Sequence, residues 1–125
     1  MLEAKRALRR ELLARRDVIP PESRAAAALR VRDRLIGGAG LVPTSATVSS
    51  YRAMGAELDP EPAEHELRRR GHPIVLPVTT PKGQPLRFRL WQSGDGLVTH
   101  GFGMREPDPY LPEVRPNVLL VPLLA

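Results

Sequence analysis

The order of segments along this chain predicts an α/β fold. Two observations carry the prediction. Residues 1–40 are rich in strong helix formers and contain only two of the fourteen prolines, whereas residues 41–125 contain the other twelve. Beyond residue 40, short apolar runs rich in β-branched residues alternate with one further helical pattern, and that succession builds helices layered on a sheet.

Each element has its own justification. Residues 2–16, LEAKRALRRELLARR, lack Pro and Gly and consist mostly of residues that favour helix. Ala4, Leu8 and Leu12 form one stripe, with Leu13 beside it. After DVIPP, Ser23 is the expected N-cap of a second helix, RAAAALRVRDRLI, which GGAG ends. Ala28, Val31 and Leu35 mark its apolar face, so the two helices are expected to pack together. SATVSSY is a strand that leads into the loop RAMGAEL. Asp59 before Pro60 is a helix start, an acceptor side chain followed by proline at the first helical position. The helix runs through EPAEHELRRR to Gly71. PIVLPV reads as a buried strand and TTPKGQP as a turn. LRFRLW alternates, with Leu86, Phe88 and Leu90 on one face and Arg87 and Arg89 on the other. QSGDG turns the chain at Asp95, and HGFGMREPDPYLPEVRP shows no regular period. NVLLVPLLA, six of whose nine residues are Val or Leu, reads as a strand buried on both faces. No repeat or boundary interrupts the series. Residues 1–125 are expected to form a single domain, with 1–40 a basic helical pair and 41–125 a strand-and-loop body.

Composition narrows the function. The chain has no Cys, which excludes a disulfide framework, a thiolate metal site and a thiol nucleophile. No apolar run approaches the roughly 18 residues of a membrane span, and the N-terminus lacks a signal peptide's apolar stretch, so a cytoplasmic protein is expected. The net charge of +5 lies entirely in the first 40 residues, where ten Lys and Arg face five Asp and Glu; nine face nine in the remainder. Such a basic segment suits nucleic acid, a membrane surface or a phosphate-bearing small molecule. The three His show no metal-ligand spacing, and neither a phosphate-binding loop nor a dinucleotide fingerprint is present.

Four positions stand out. Lys5 and Arg9 are spaced i, i+4, an arrangement that weakens a helix by a few tenths of a kcal/mol and opposes the dipole of its first turns. They are either a solvated face or two cations aimed at adjacent phosphates. Glu57 follows a strand in a Gly-containing loop, where ligands bind in open α/β sheets. It is either an ordinary surface carboxylate or an acceptor for an amino- and imino-bearing heterocycle. Phe102, between two glycines, is either tucked over the core or free to approach a flat ligand.

AKRALRREL, Tyr51 followed by Glu-Leu-Asp at 57–59, IVLP at 74–77, LRFRLW, GFGMREP and NVLLVPLLA occur in the order of one family. Over its whole length the chain resembles the 5-formyltetrahydrofolate cyclo-ligases, also called 5,10-methenyltetrahydrofolate synthetases. The resemblance implies a three-layer αβα fold similar to sugar-phosphate isomerases and CoA transferases. It also implies ATP as co-substrate, Mg2+, and conversion of 5-formyltetrahydrofolate to 5,10-methenyltetrahydrofolate. By position, the ATP-contacting Lys and Arg fall on Lys5 and Arg9, and the folate-binding Glu falls on Glu57. Arg52 falls on a position lining the folate pocket, and Phe102 on an apolar position near the pterin. No catalytic residue and no metal ligand carries over. In the family a Phe-Asp pair and a glycine-rich Arg-Leu-Gly…Gly-Tyr-Tyr-Asp loop follow the terminal strand. The chain therefore resembles the N-terminal two thirds, incomplete at the C-terminus, and is expected to be inactive alone. Partners of nucleic acid or membrane are not implied. Two other readings stay open: a fragment that binds ATP or folate without turnover, and a basic nucleic-acid-binding module. The first 40 residues contain no aromatic, which counts against the second.

Overall fold

A computed structural model describes residues 2–37, 40–92, 94–99 and 105–123. It contains helices α1 (Leu2–Asp17), α2 (Pro21–Ile36) and α3 (Glu61–Arg69). Its strands are β1 (Val48–Ser49), β2 (Ile74–Val78), β3 (Arg87–Leu90), β4 (Leu97–Thr99), β5 (Arg105–Pro107) and β6 (Val118–Leu119). The main sheet runs in the order β3-β2-β1-β6, and β4 pairs with β5 separately. β1 is parallel to both β2 and β6, whereas β2 and β3 are antiparallel, with Val75 opposite Leu90 and Pro77 opposite Phe88. The protein is a mixed α/β structure, as the segment order predicts.

Local chemistry explains α3. α3 starts one residue later than expected, with Pro60 at the N-cap and no side-chain cap; the Asp59 carboxylate instead accepts the Glu61 N–H at 2.9 Å in an Asx turn that leads into the helix. At the other end Gly71 adopts φ +92°. Its N–H donates to Arg68 O at 3.0 Å, and the His72 N–H donates to Leu67 O at 2.9 Å. Those two bonds are a Schellman closure, which needs the left-handed residue that glycine supplies. The helix buries Leu67 on the sheet beside Val48 and Ile74, and Ile36, Val42, Val118 and Leu120 pack around them. Each fully buried aliphatic side chain contributes about 1.5–3 kcal/mol.

Several expectations are corrected. α2 begins at Pro21, and no side chain caps it; Ser23 lies inside the helix because proline already supplies the first helical position. α1 buries no residue, and Leu8 is 55% exposed. α2 packs instead against α3, and the small buried residues Ala28 and Ala63 suit close approach of those helices. The stripe on α1 is narrow and flanked by cations, so little apolar area was available to hold it. Leu86 is exposed, since β3 begins one residue later. β4 and β5 form an antiparallel pair within a stretch that showed no period.

The terminal run is half-buried, not buried on both faces. β6 is an edge strand held on β1 by N–H donation from Asn117 to Thr47 O and from Leu120 to Ser49 O, both 2.8 Å. Val118 and Leu120 face the core, while Leu119, Val121 and Leu123 are exposed. No described element covers their side, so alternation decides burial and composition does not.

Candidate functional site

Parallel β1 ends at the loop 51–59, and that loop builds the site. Tyr51 donates its hydroxyl to Leu58 O at 2.6 Å, closing the loop on itself. Gly55, at φ +58°, lets the chain turn back. The Glu57 N–H donates to Met54 O at 3.2 Å, and the Glu57 carboxylate accepts the Met54 N–H at 2.8 Å. Burial, and next the negative charge of Glu57, raises the Tyr51 phenol above its ordinary value, so it remains a neutral donor.

Arg52 points into a different network. It donates to Glu61 at 3.0 Å and to Glu64, and its guanidinium carbon stacks 4.7 Å from the centre of the Trp91 ring. Arg68 approaches the same ring at 5.3 Å and donates to Trp91 O at 2.9 Å. Glu64 is 2% exposed. This pair-and-stack arrangement beneath the loop ties β1, α3 and the residue after β3 together.

Two cavities flank the loop. One, of about 510 Å³, lies between the first turns of α2 and the loop, with Arg24, Ala28, Asp59 and Glu61 in its wall. The other, of about 280 Å³, has a largely apolar lining that includes Tyr51, Met54, Leu76, Pro77 and Pro122. Arg52, Ala53, Glu57 and Arg105 line both. β5 is fastened here by Glu106, a buried carboxylate that accepts from the Thr79 N–H at 2.6 Å and from the Thr79 hydroxyl.

The structure thus brings Arg52 and Glu57 together at the end of β1. Lys5 and Arg9 lie on exposed α1 and line neither cavity. Phe102 and His100 lie outside the described residues. Among the described residues no three His, Asp or Glu converge to hold a metal ion, and no helix is long and apolar enough to cross a membrane. Sequence reasoning passed over Arg24 and Arg105. The first is a lone arginine before an alanine run, and the second sits inside the quoted GFGMREP; nothing local marks either as facing a cavity.

Comparison with known proteins agrees with this architecture. No curated protein sequence matches the chain. The NMR structure of the Aquifex aeolicus 5,10-methenyltetrahydrofolate synthetase is similar in fold, with a TM-score of 0.73 at 22% identity over 97% of this chain and 60% of that one. The Mycoplasma pneumoniae 5,10-methenyltetrahydrofolate synthetase gives a TM-score of 0.66 at 15% identity over 95% of this chain and 63% of that one. The chain therefore spans about 60% of the length of these solved structures. The 5-formyltetrahydrofolate cyclo-ligase family model matches residues 1–125, and the chain belongs to that family.

Proposed function

We propose that the chain serves ATP-dependent closure of 5-formyltetrahydrofolate to 5,10-methenyltetrahydrofolate, and that residues 1–125 supply walls for both substrates. The observation that carries this reading is the pair of cavities sharing Glu57 and Arg52 at the end of β1. The smaller cavity offers an apolar slot for a flat ring, with a carboxylate at its rim to accept from ring N–H and amino groups. Family membership supplies the substrate class.

In this reading ATP transfers its terminal phosphoryl group to the N5-formyl oxygen, releasing ADP. N10 then attacks the activated carbon, and inorganic phosphate leaves as the ring closes. Such chemistry depends on alignment and charge stabilisation more than on a protein nucleophile. Glu57 orients the pterin, and Lys5 and Arg9 hold the polyphosphate from α1. Magnesium, which the family resemblance implies, would neutralise phosphate charge when bound; the described residues offer no cluster of three ligands for it. Residues 1–125 on their own bind without turnover in this reading, since the glycine-rich loop that the family resemblance implies has no counterpart among them. A misplacement of about 1 Å already costs roughly a hundredfold.

The test has two arms on residues 1–125. Calorimetry with 5-formyltetrahydrofolate and with MgATP should give saturable binding to both. A spectrophotometric assay for methenyltetrahydrofolate should give no turnover. Absence of folate binding sinks the functional reading, whereas turnover at an ordinary enzymatic rate sinks only the claim of inactivity.

A further inference from the structure

We infer that Tyr51 is a positioning residue for Glu57: its hydroxyl clamps the two arms of the loop after β1, and the clamp sets the carboxylate that meets the folate ring. The inference rests on the folate reading above and deepens it.

No strand or helix holds the loop 51–59, so its own bonds decide its shape. At the tip, Met54 and Glu57 bond twice. The Glu57 N–H donates to Met54 O at 3.2 Å, closing a four-residue turn. The Met54 N–H donates back to Glu57 Oε1 at 2.8 Å. Gly55 supplies the positive φ inside that turn. These bonds make the tip a unit, but both lie between the same two residues. Neither stops the unit from swinging on its arms. A different bond spans the arms. The Tyr51 hydroxyl, on the chain entering the loop, donates at 2.6 Å to Leu58 O, on the chain leaving it. Leu58 follows Glu57 directly, so the clamp closes one residue from the carboxylate.

The surroundings keep this donor protonated. Burial first, then the negative charges of Glu57, Asp59 and Glu64, raise the phenol above its ordinary value. The ring has a separate task, since it lines the smaller cavity beside Met54 and Glu57. Phenylalanine at this position keeps that wall and deletes only the clamp. With the arms fixed, the Met54 N–H holds one carboxylate oxygen and a ring N–H meets the group in a set plane. With the arms loose, the loop must be ordered at the moment of binding, and that ordering subtracts from affinity.

Residues 1–125 and the variants Tyr51→Phe, Glu57→Ala, the double variant and Asn117→Ala are titrated with 5-formyltetrahydrofolate and with MgATP. Amide hydrogen exchange is followed at Met54, where it reports local opening. Asn117→Ala is the control, because it removes the acceptor of the Thr47 N–H, 2.9 Å away, at the opposite end of β1. Circular dichroism matching the parent confirms that the variants are folded. Tyr51→Phe should speed Met54 exchange and weaken folate, each by about three- to tenfold, with MgATP unchanged within twofold. Asn117→Ala should leave all three readings within twofold. In the Glu57→Ala background, Tyr51→Phe should weaken folate no further, because the clamp acts through that carboxylate. Folate affinity within twofold in Tyr51→Phe overturns the inference. Weakened folate with unchanged Met54 exchange, or losses that add in the double variant, overturns it by giving the hydroxyl a role of its own. An equal loss in Asn117→Ala overturns it by reducing the effect to stability. Should the parent bind no folate, the functional reading fails and exchange decides: faster Met54 exchange in Tyr51→Phe but not in Asn117→Ala sustains the clamp on Glu57, and equal rates overturn it.

Discussion

Helices α1 and α3 differ in a way that bears on the site. α1 has 16 residues and good propensity, yet it buries none of them. α3 has nine residues and buries Ala63, Glu64 and Leu67. Propensity makes a helix form, but packing and end chemistry decide where it stands. Both ends of α3 are fastened, and its buried face reaches the loop carrying Glu57 through Arg52. The side proposed for folate is thus preorganised by the fold. The side assigned to ATP rests on two cations of a helix the core does not grip.

The sharpest way to break this contrast is Glu64→Ala. It leaves the Arg52 guanidinium, 12% exposed, with only Glu61 as a carboxylate partner, and the loss should lie at or below the low end for a broken buried pair, about 3 kcal/mol. Urea denaturation should report that loss, and Leu8→Ala on α1 should change stability by less than about 0.5 kcal/mol. Equal effects would abolish the distinction between the helices. Next in size are ligand effects. Glu57→Ala should weaken 5-formyltetrahydrofolate about tenfold or more and spare MgATP. Lys5→Ala and Arg9→Ala should each weaken MgATP by about ten- to a hundredfold with no change in thermal midpoint. ATP binding indifferent to both substitutions removes α1 from the site. Asp59→Ala should cost about 1 kcal/mol through the lost hydrogen bond from the Glu61 N–H, read as a lowered denaturation midpoint.

The smallest effect is a pH dependence. Hydrogen bonds from Arg69, and then from Arg70, lower the Glu66 carboxyl from 4.5 to about 2. A folded value below the unfolded one means stabilisation that is present above pH 4.5 and fades as the pH falls toward 2. Glu66→Gln should flatten that part of the stability profile slightly. A profile identical to the parent's between these limits would show that the surface cluster is energetically idle.

Legibility in the sequence followed the range of the interactions. Asp59, Pro60 and Gly71 mark the ends of α3 through bonds spanning a few residues, and each does what its residue type allows. Glu57 was legible as a loop carboxylate after a strand, and its neighbour Arg52 through family resemblance. Which side of NVLLVPLLA is covered was not legible, because an apolar run cannot say whether a second layer lies over it. The pairing of β4 with β5 was invisible: three-residue strands, one ending at Pro107, leave no period to detect. Arg24 and Arg105 are brought to one cavity only by the packing of α2 and the anchoring of β5. No local signal encodes that meeting.

Trp91 is the chain's sole tryptophan, and two guanidinium groups approach its ring, one belonging to a wall of both cavities. Indole emission responds to the field of nearby charges. Any ligand that pulls Arg52 off the ring, or presses it closer, should therefore shift the intrinsic fluorescence of the unlabelled protein. Occupancy of the site is written into a colour the molecule already carries.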